Sequence, residues 1–413
     1  MQLGNSRDFQ VENYLKVLLV APDYPPYNQG GGGVVYMTIA QKMAQRGHNV
    51  SVIAGYNGNE LKKEFVEENG HRIEVFWVPL MSIFTNKHPK FKSYLPPKLT
   101  AFRYLNALNY NDYDVIHLLA FGHILTDFIN LVARSHRKIL TIHGFPKYVE
   151  SQGNASFFTK LLYKLYTNTL ARFTLNSTDT ITVVTKFVAE ECLKNGIKPH
   201  KVKIISNGID LDRYINVKYD LLQEKYKIMK EDVLLLSIAR IDWFKGFENA
   251  IEPIDQLMKK TNRPFKYMII GAIEDRYYYS KLKKQIESKG IKNNVIFTGF
   301  IDHSLKLQAL TRADIFLVPS LHESFGIVSL EAMAMGKPIV ASNLEGISCI
   351  LDHMSTGFLV QAGRPIEIAD AITNLLDNPE LRNKLSSNAK IEVKKYDWNK
   401  IMDNYEMIYR QLR

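Results

Sequence analysis

Cysteine is nearly missing from this 413-residue chain, with only Cys192 and Cys349 present. Two thiols are too few for a disulfide framework or a zinc cluster, and such scarcity fits a reducing compartment. Long hydrophobic runs are missing too. No stretch approaches the roughly 18–20 apolar residues of a membrane-crossing helix. The opening MQLGNSRDFQVENY has no apolar run of the kind a secretory leader carries. Together these absences predict a cytoplasmic protein. Zinc-finger spacings, RNA-recognition aromatic motifs and long Lys/Arg blocks are absent as well, so nothing points to nucleic acid. The G-x-G-x-x-G fingerprint with its acidic follower is not usefully met, which disfavours a nicotinamide dehydrogenase.

What is present is globular. Hydrophobic residues make up 46% of the chain and charged residues 23%, enough for a large core. At roughly 100–200 residues per domain, the length predicts two or three domains. The net charge of +11 favours anionic partners, among them nucleotide phosphates and an acidic membrane face. Short Val/Ile/Leu-rich runs alternate with helical patterns. In the first half they are KVLLVA (16–21), NVSVIA (49–54), IEVFWV (73–78), DVIHLL (114–119), KILTIH (138–143), TITVV (180–184) and VKIIS (202–206). In the second half they are VLLLSIA (233–239), KYMIIG (266–271), VIFTG (295–299), DIFLVP (314–319), PIVAS (338–342) and GFLV (357–360). Continuous apolar strands followed by helices indicate parallel sheets covered on both faces. Thirteen strands exceed one open sheet of usual size, so the fold class is α/β with two doubly wound, Rossmann-like domains. The predicted domains are 1–208 and 209–395, joined near SNGIDLDRY (206–214). Residues 396–413 predict a closing helix with Trp398, Ile401, Met402, Tyr405, Ile408 and Leu412 on its apolar face.

In such folds ligands collect at the carboxyl ends of strands. One strand-end loop there is LHESFG, followed by the helix IVSLEAMAM, which Gly336 and Pro338 stop. That helix has almost no polar face. Its first amides, over Ser324, Phe325, Gly326, Ile327 and Val328, are a ready site for a phosphate or for sugar hydroxyls. Glu331, one to two turns in, needs a partner such as a ribose, and Glu323 faces whatever the helix start holds. The plain alternative is a solvated Glu323 and an internal salt bridge at Glu331. A glycosidase carboxylate pair has no other support. After VLLLSIAR, Arg240 and Lys245 are two cations able to clamp a diphosphate, with Asp242 a turn or capping residue. Gly30–Gly33 form a glycine loop before a helix predicted near Val34, a phosphate approach or a hinge. His143 ends the strand KILTIH, either structural or lining the cleft.

Taken together these loops resemble glycosyltransferase family 4, the retaining GT-B transferases. ESFGIVSLE is similar to that family's E-x7-E motif, ARIDWFKG to its R-x4-K segment and SNGIDLDRY to its N-G-[VI]-D motif. GGGGVV…IAQKMAQRGHNVSVIA resembles its first β-α-β unit, and VIFTGFI…RADIFLVPSLHESFG with ASNLEGIS…STGFLV follow in order. The resemblance implies a GT-B fold, two Rossmann-like domains facing a central cleft, with the last helix crossing back onto the first domain. It implies that Arg240 and Lys245 neutralise a departing nucleoside diphosphate and that Glu331 holds the ribose. Glu323 and the amides of Ser324, Phe325 and Gly326 would then hold the donor sugar, Gly32 and Gly33 approach the phosphate, and His143 contact the sugar. The chain departs from the family pattern at Gly144, where Asp is common, and at Ser348 and Cys349, where Pro-Glu is frequent.

The expected reaction is retaining, metal-independent transfer of a sugar from a nucleotide-diphosphate-sugar co-substrate, with no other cofactor and no metal. The alternative is a non-catalytic nucleotide-sugar-binding subunit, since a fold can outlive its chemistry. The expected acceptor is a carbohydrate or lipid-linked hydroxyl. The aromatic, apolar and basic segment 157–173 is compatible with an interfacial helix on an anionic membrane or with a helix packed on the first sheet, and 85–104 adds basic and aromatic residues in the same domain.

Overall fold

The computed structural model describes residues 14–27, 30–68, 70–80, 97–133, 137–145, 165–261 and 263–413. Residues 85–96 of the segment 85–104 and residues 157–164 of the segment 157–173 therefore lie outside the described residues. By backbone contacts the chain divides into two compact units, 1–182 with 192–203 and 402–413, and 183–191 with 204–401. The sequence places the join after residue 208; the contact division runs at 203/204, with 183–191 assigned to the second unit.

The first sheet has strands β1 (Lys16–Ala21), β2 (Asn49–Tyr56), β3 (Lys62–Glu68), β4 (His71–Pro79), β5 (Val115–Leu118), β6 (Lys138–Ile142), β7 (Thr180–Val183) and β8 (Val202–Ile204). Their spatial order is β3-β4-β2-β1-β5-β6-β7-β8. Seven of these eight are the expected apolar runs; β3, reading KKEFVEE, is the addition. Its charges hide it from a search for buried parallel strands, because it pairs antiparallel to β4 at the sheet edge, where one side meets water. Order changes direction between β1 and β5, which are paired neighbours.

The second sheet has β9 (Val233–Ile238), β10 (Phe265–Ile270), β11 (Val295–Gly299), β12 (Ile315–Val318), β13 (Ile339–Ser342) and β14 (Phe358–Val360), all parallel. Their order is β11-β10-β9-β12-β13-β14. Chain order runs outward from β9 in both directions, so the β9/β12 boundary is the switch point where a doubly wound sheet opens its ligand crevice. One face of this sheet packs Leu235, Phe265, Tyr267 and Leu317 against Phe247, Ile251 and Leu375 of its helices, all at most 2% exposed. Burial of such side chains stabilises by about 1.5–3 kcal/mol each.

The closing helix spans Trp398–Leu412. Its buried stripe is Trp398, Ile401, Met402, Tyr405, Ile408 and Tyr409, while Leu412 is half-buried. Tyr409, one turn after Tyr405, takes the seam position expected of Leu412, and its hydroxyl meets the buried His117 Nδ1 at 2.5 Å. From Met402 onward the helix belongs to the first unit. There Arg46 bonds Asp403 at 2.7 Å and Glu406 at 2.9 Å. The helix start is pinned in the second unit: Ile209 N donates to Tyr396 O at 2.8 Å, and Trp398 N to Ile209 O at 3.1 Å. Gly208 of SNGID lies under the Trp398 ring, where a Cβ would sit 2.6 Å from the indole. Among the described residues no helix is long and apolar enough to cross a membrane.

Candidate active site

In the second unit the two loops flanking the switch point are locked together. After β9, Ile241 is fully buried, and its amide donates to Ala272 O at 2.8 Å. Gly271, at φ 153°, closes against the turn before it, where a Cβ would lie 2.0 Å from Ala239 O and 3.1 Å from Arg240 N. This backbone packing presents Arg240, which is exposed and has no hydrogen-bond or ion-pair partner among the described residues. Asp242 caps the single 3-10 turn Trp243–Lys245 by accepting from Trp243 N at 2.8 Å. Gly246 follows at φ 61°, its Cα so close to β12 that a Cβ would meet Pro319 O at 2.2 Å. The amide of Leu321 donates to Phe244 O at 2.8 Å and completes the lock.

Lys245 therefore points across to the loop after β12, and its Nζ donates to Glu323 Oε2 at 2.5 Å. The side chains are 14% and 16% exposed. Sequence reading expects two cations able to clamp a diphosphate and a glutamate facing the helix start; the structure shows Lys245 holding that glutamate, while Arg240 has no side-chain partner among the described residues. Neither partner of an ion pair 78 residues apart in sequence announces the other.

The loop carrying Glu323 turns into the helix Ile327–Ala334 through Gly326, at φ 77°. The amide of Ser329 donates to Gly326 O at 2.8 Å, and the amides of Ser324 to Val328 precede that first bond. Phe325 is buried, so its backbone alone is free to serve a ligand, while Ser324, Ile327 and Val328 are half-buried. The short helix Glu345–Ser348 presses on this loop through Gly346, where a Cβ would meet Glu323 O at 2.2 Å. Cys349 beyond it is exposed. A small pocket at the strand ends is lined by Ser237, Lys245, Ser320, Glu323 and Val328 among others.

Glu331 is 9% exposed. Its Oε1 accepts from Tyr214 Oη at 2.8 Å and from Lys306 Nζ at 2.9 Å. Its Oε2 is buried and has no hydrogen-bond partner among the described residues. The internal salt bridge is thus present, and one acceptor is left over. Burial first, and then the neighbouring Glu331, push the Tyr214 hydroxyl far above its ordinary value, so it stays a neutral donor. His303 packs edge-on against Tyr214 with ring centres 5.8 Å apart. Burial lowers its pKa, with Lys306 adding to the effect. Lys306 and Tyr214 are the residues sequence reasoning misses. They lie 25 and 117 positions from Glu331, and the sole signal is that a buried carboxylate must have a partner somewhere.

In the first unit the glycine stretch is not a loop: the helix is Gly31–Gln45, with Gly30 as N-cap. Gly31, Gly32 and Gly33 form its first turn, and the first intrahelical bond is Val34 N to Gly30 O at 3.1 Å. Three small residues hold the first-turn amides open without side chains in front of them. The prediction of a start near Val34 follows from the low helix propensity of glycine, which N-terminal placement makes cheap to override. Tyr36, one turn on, has its ring 5.4 Å from that of His143. His143 is half-buried, and its Nε2 is buried and has no hydrogen-bond partner among the described residues. Burial, outweighing a backbone hydrogen bond with Leu119, lowers its pKa to about 4, so the ring is neutral at pH 7. With Leu119 engaging one side of the ring, Nε2 is the acceptor nitrogen. Among the described residues no cluster of three or more His, Cys, Asp or Glu could hold a metal ion.

Two family models match this chain. The one described as Glycosyltransferase Family 4 covers residues 29–213, and the one described as Glycosyl transferases group 1 covers 219–392. An uncharacterized glycosyltransferase of Methanocaldococcus jannaschii is 27% identical over 96% of this chain and 98% of its own length. The N-acetyl-alpha-D-glucosaminyl L-malate synthase of Bacillus anthracis is 25% identical over 92% and 93%. Among solved structures, sucrose-phosphate synthase of Thermosynechococcus elongatus superposes with a TM-score of 0.76 at 20% identity, covering 96% of this chain and 98% of that one. The Anabaena protein HepE in complex with UDP and glucose gives a TM-score of 0.71 at 20% identity over 96% and 100%. At these identities the structural likeness speaks for the GT-B fold alone.

Proposed function

The chain belongs to the glycosyl transferases of group 1, family 4 type, and from that premise we propose that it moves a sugar from a nucleoside-diphosphate donor to a hydroxyl acceptor with retention at the anomeric carbon. The observation that supports this most is the Arg240, Lys245, Glu323 and Glu331 constellation at one switch point. It brings together a lysine, a helix start, and, among the described residues, a guanidinium without a partner and a carboxylate that keeps an acceptor free.

In this reading Arg240 and Lys245 take the diphosphate, with Lys245 sharing its three donors between Glu323 and a phosphate oxygen. The amides of Ser324 to Val328 add fixed dipoles aimed at the same charge. Glu331 offers its spare oxygen to a ribose hydroxyl. Gly32 and Gly33 give first-turn amides to phosphate, and His143 Nε2 accepts from a sugar hydroxyl. The bond from the anomeric carbon to the phosphate oxygen breaks on one face, and the acceptor oxygen bonds that carbon from the same face. The acceptor's proton passes to the departing phosphate oxygen, so no protein base enters. The two cations carry the leaving-group charge, and the reaction proceeds without a metal.

The acceptor in this proposal is a carbohydrate or lipid-linked hydroxyl, reached from the cytoplasmic face of a membrane. Leu165 and Phe173, from the described part of segment 157–173, are exposed apolar side chains. Sedimentation with anionic vesicles at low salt, lost at high salt, is the expected behaviour; no sedimentation removes the membrane from the account.

The donor is tested by thermal melting with UDP, GDP, ADP and TDP in EDTA. One base class raises Tm; no shift at concentrations well above the dissociation constant sinks the donor site. Lys245→Ala should lower turnover by about 10²–10³-fold, as loss of one transition-state donor does. Near-normal turnover removes the clamp.

A further inference from the structure

The edge strand β3 reads Lys62-Lys63-Glu64-Phe65-Val66-Glu67-Glu68. It ends the first sheet, so among the described residues one side of its backbone is unpaired. Natural edges are commonly blunted by scattered charge. Here the end charges are ordered: Lys62 and Lys63 at one end, Glu67 and Glu68 at the other, with Phe65 and Val66 between them and Glu64 tied to Trp77 of β4. Phe65 is 48% exposed and Val66 37%.

We propose that β3 is a pairing surface for a second copy of this chain, joined antiparallel about a twofold axis through Phe65. In that register Lys62 stands opposite position 68, a glutamate in the sequence, Lys63 opposite Glu67, Glu64 opposite Val66, and Phe65 opposite Phe65. Residues directly opposite in an antiparallel pair share a face, so every charged end residue meets its opposite sign. The symmetry produces each charge pair twice. Parallel pairing of the same strand would oppose Lys to Lys and Glu to Glu.

The surroundings fit. Glu64 is held by Trp77 Nε1 at 2.9 Å, and Lys63 by Glu74 at 2.7 Å. The Arg72 guanidinium lies over the Phe65 ring at 3.5 Å, which fixes the central aromatic side chain. All three partners are on β4, the inner neighbour, so these contacts do not occupy the outer edge of β3. A seven-residue strand pair buries less than the roughly 1,200 Å² of stable complexes, so the association is weak and transient.

Sedimentation velocity across a concentration series tests it. Wild type should shift from monomer to dimer. The variants Lys62→Glu/Lys63→Glu and Glu67→Lys/Glu68→Lys should each lose at least about tenfold in association. Their equimolar mixture should regain it, since the reversed ends then face opposite charges. Wild type that stays monomeric to several hundred micromolar overturns the proposal, as do variants that dimerise like wild type or a mixture that stays monomeric. Hydrogen exchange of wild type keeps the test independent of the variants' folding. Amides within 62–68 should gain protection as concentration rises, and unchanged protection leaves β3 a charge-blunted edge.

Discussion

Replacing Lys306 by methionine isolates the chemistry around Glu331. The substitution keeps most of the apolar stem and removes the charge that meets Oε1 at 2.9 Å. An exposed pair of this kind contributes about 0.2–1 kcal/mol. Breaking a fully buried one costs about 3–5 kcal/mol, since it strands a charge. The Lys306 and Glu331 side chains are 20% and 12% exposed, between those limits but nearer the second. A loss of about 2 kcal/mol in stability follows. Tyr214 still donates at 2.8 Å, so the carboxylate is weakened rather than abandoned. Urea unfolding measures this, read from Trp243 and Trp398 in the second unit. The double variant Lys306→Met/Glu331→Gln should recover part of the loss, because the partners are coupled. If Glu331 also binds ribose, Lys306→Met weakens nucleoside diphosphate about tenfold and leaves its 2′,3′-dideoxy analogue unchanged. A Lys306→Met protein within 0.5 kcal/mol of wild type would refute the buried-pair argument. An equal loss with both nucleotides would refute the link to ribose alone.

Gly271→Ala puts a Cβ onto the Ala239 carbonyl, a backbone atom that cannot swing away. It should destabilise by about 2–3 kcal/mol and cut turnover by displacing Arg240; a fully active, stable variant would show the loop yields. Gly346→Ala strikes the Glu323 carbonyl in the same way and should impair donor binding, measured by titration calorimetry, more than it lowers Tm. Burial, aided by His143, lowers the His117 pKa to about 3. Above pH 6.5 both folded and unfolded forms hold it neutral, and its contribution is fully present. Below 6.5 the unfolded chain takes up the proton first, so stability falls as pH drops toward 3, by about 2 kcal/mol between pH 7 and 5. His117→Gln should remove that share of the slope in urea titrations at the two pH values; an unchanged slope would contradict it.

Much of the architecture was legible in advance because its cause is local. Thirteen apolar runs read as strands since period and β-branching are visible over a few residues, and all thirteen are strands. The closing helix announced itself by spacing, although spacing alone selected Leu412 where burial selects Tyr409. β3 escaped because a polar edge strand has no apolar face to advertise. The glycine stretch was visible as glycine but not as a helix's first turn, since propensity argues against the helix and tertiary placement overrules it.

The sequence by itself determined the strands and helices, the loops that carry Arg240, Lys245, Glu323, Glu331 and His143, and the likeness to family 4. Tertiary structure alone decided that Lys245 reaches Glu323, that Tyr214 and Lys306 meet at one oxygen of Glu331, and that Gly271 and Gly346 leave no room for a methyl group. The reason is the range of the forces. Periodicity and turn chemistry act between near neighbours and are written along the chain, whereas an ion pair or a steric limit depends on which distant segments the folded path brings together.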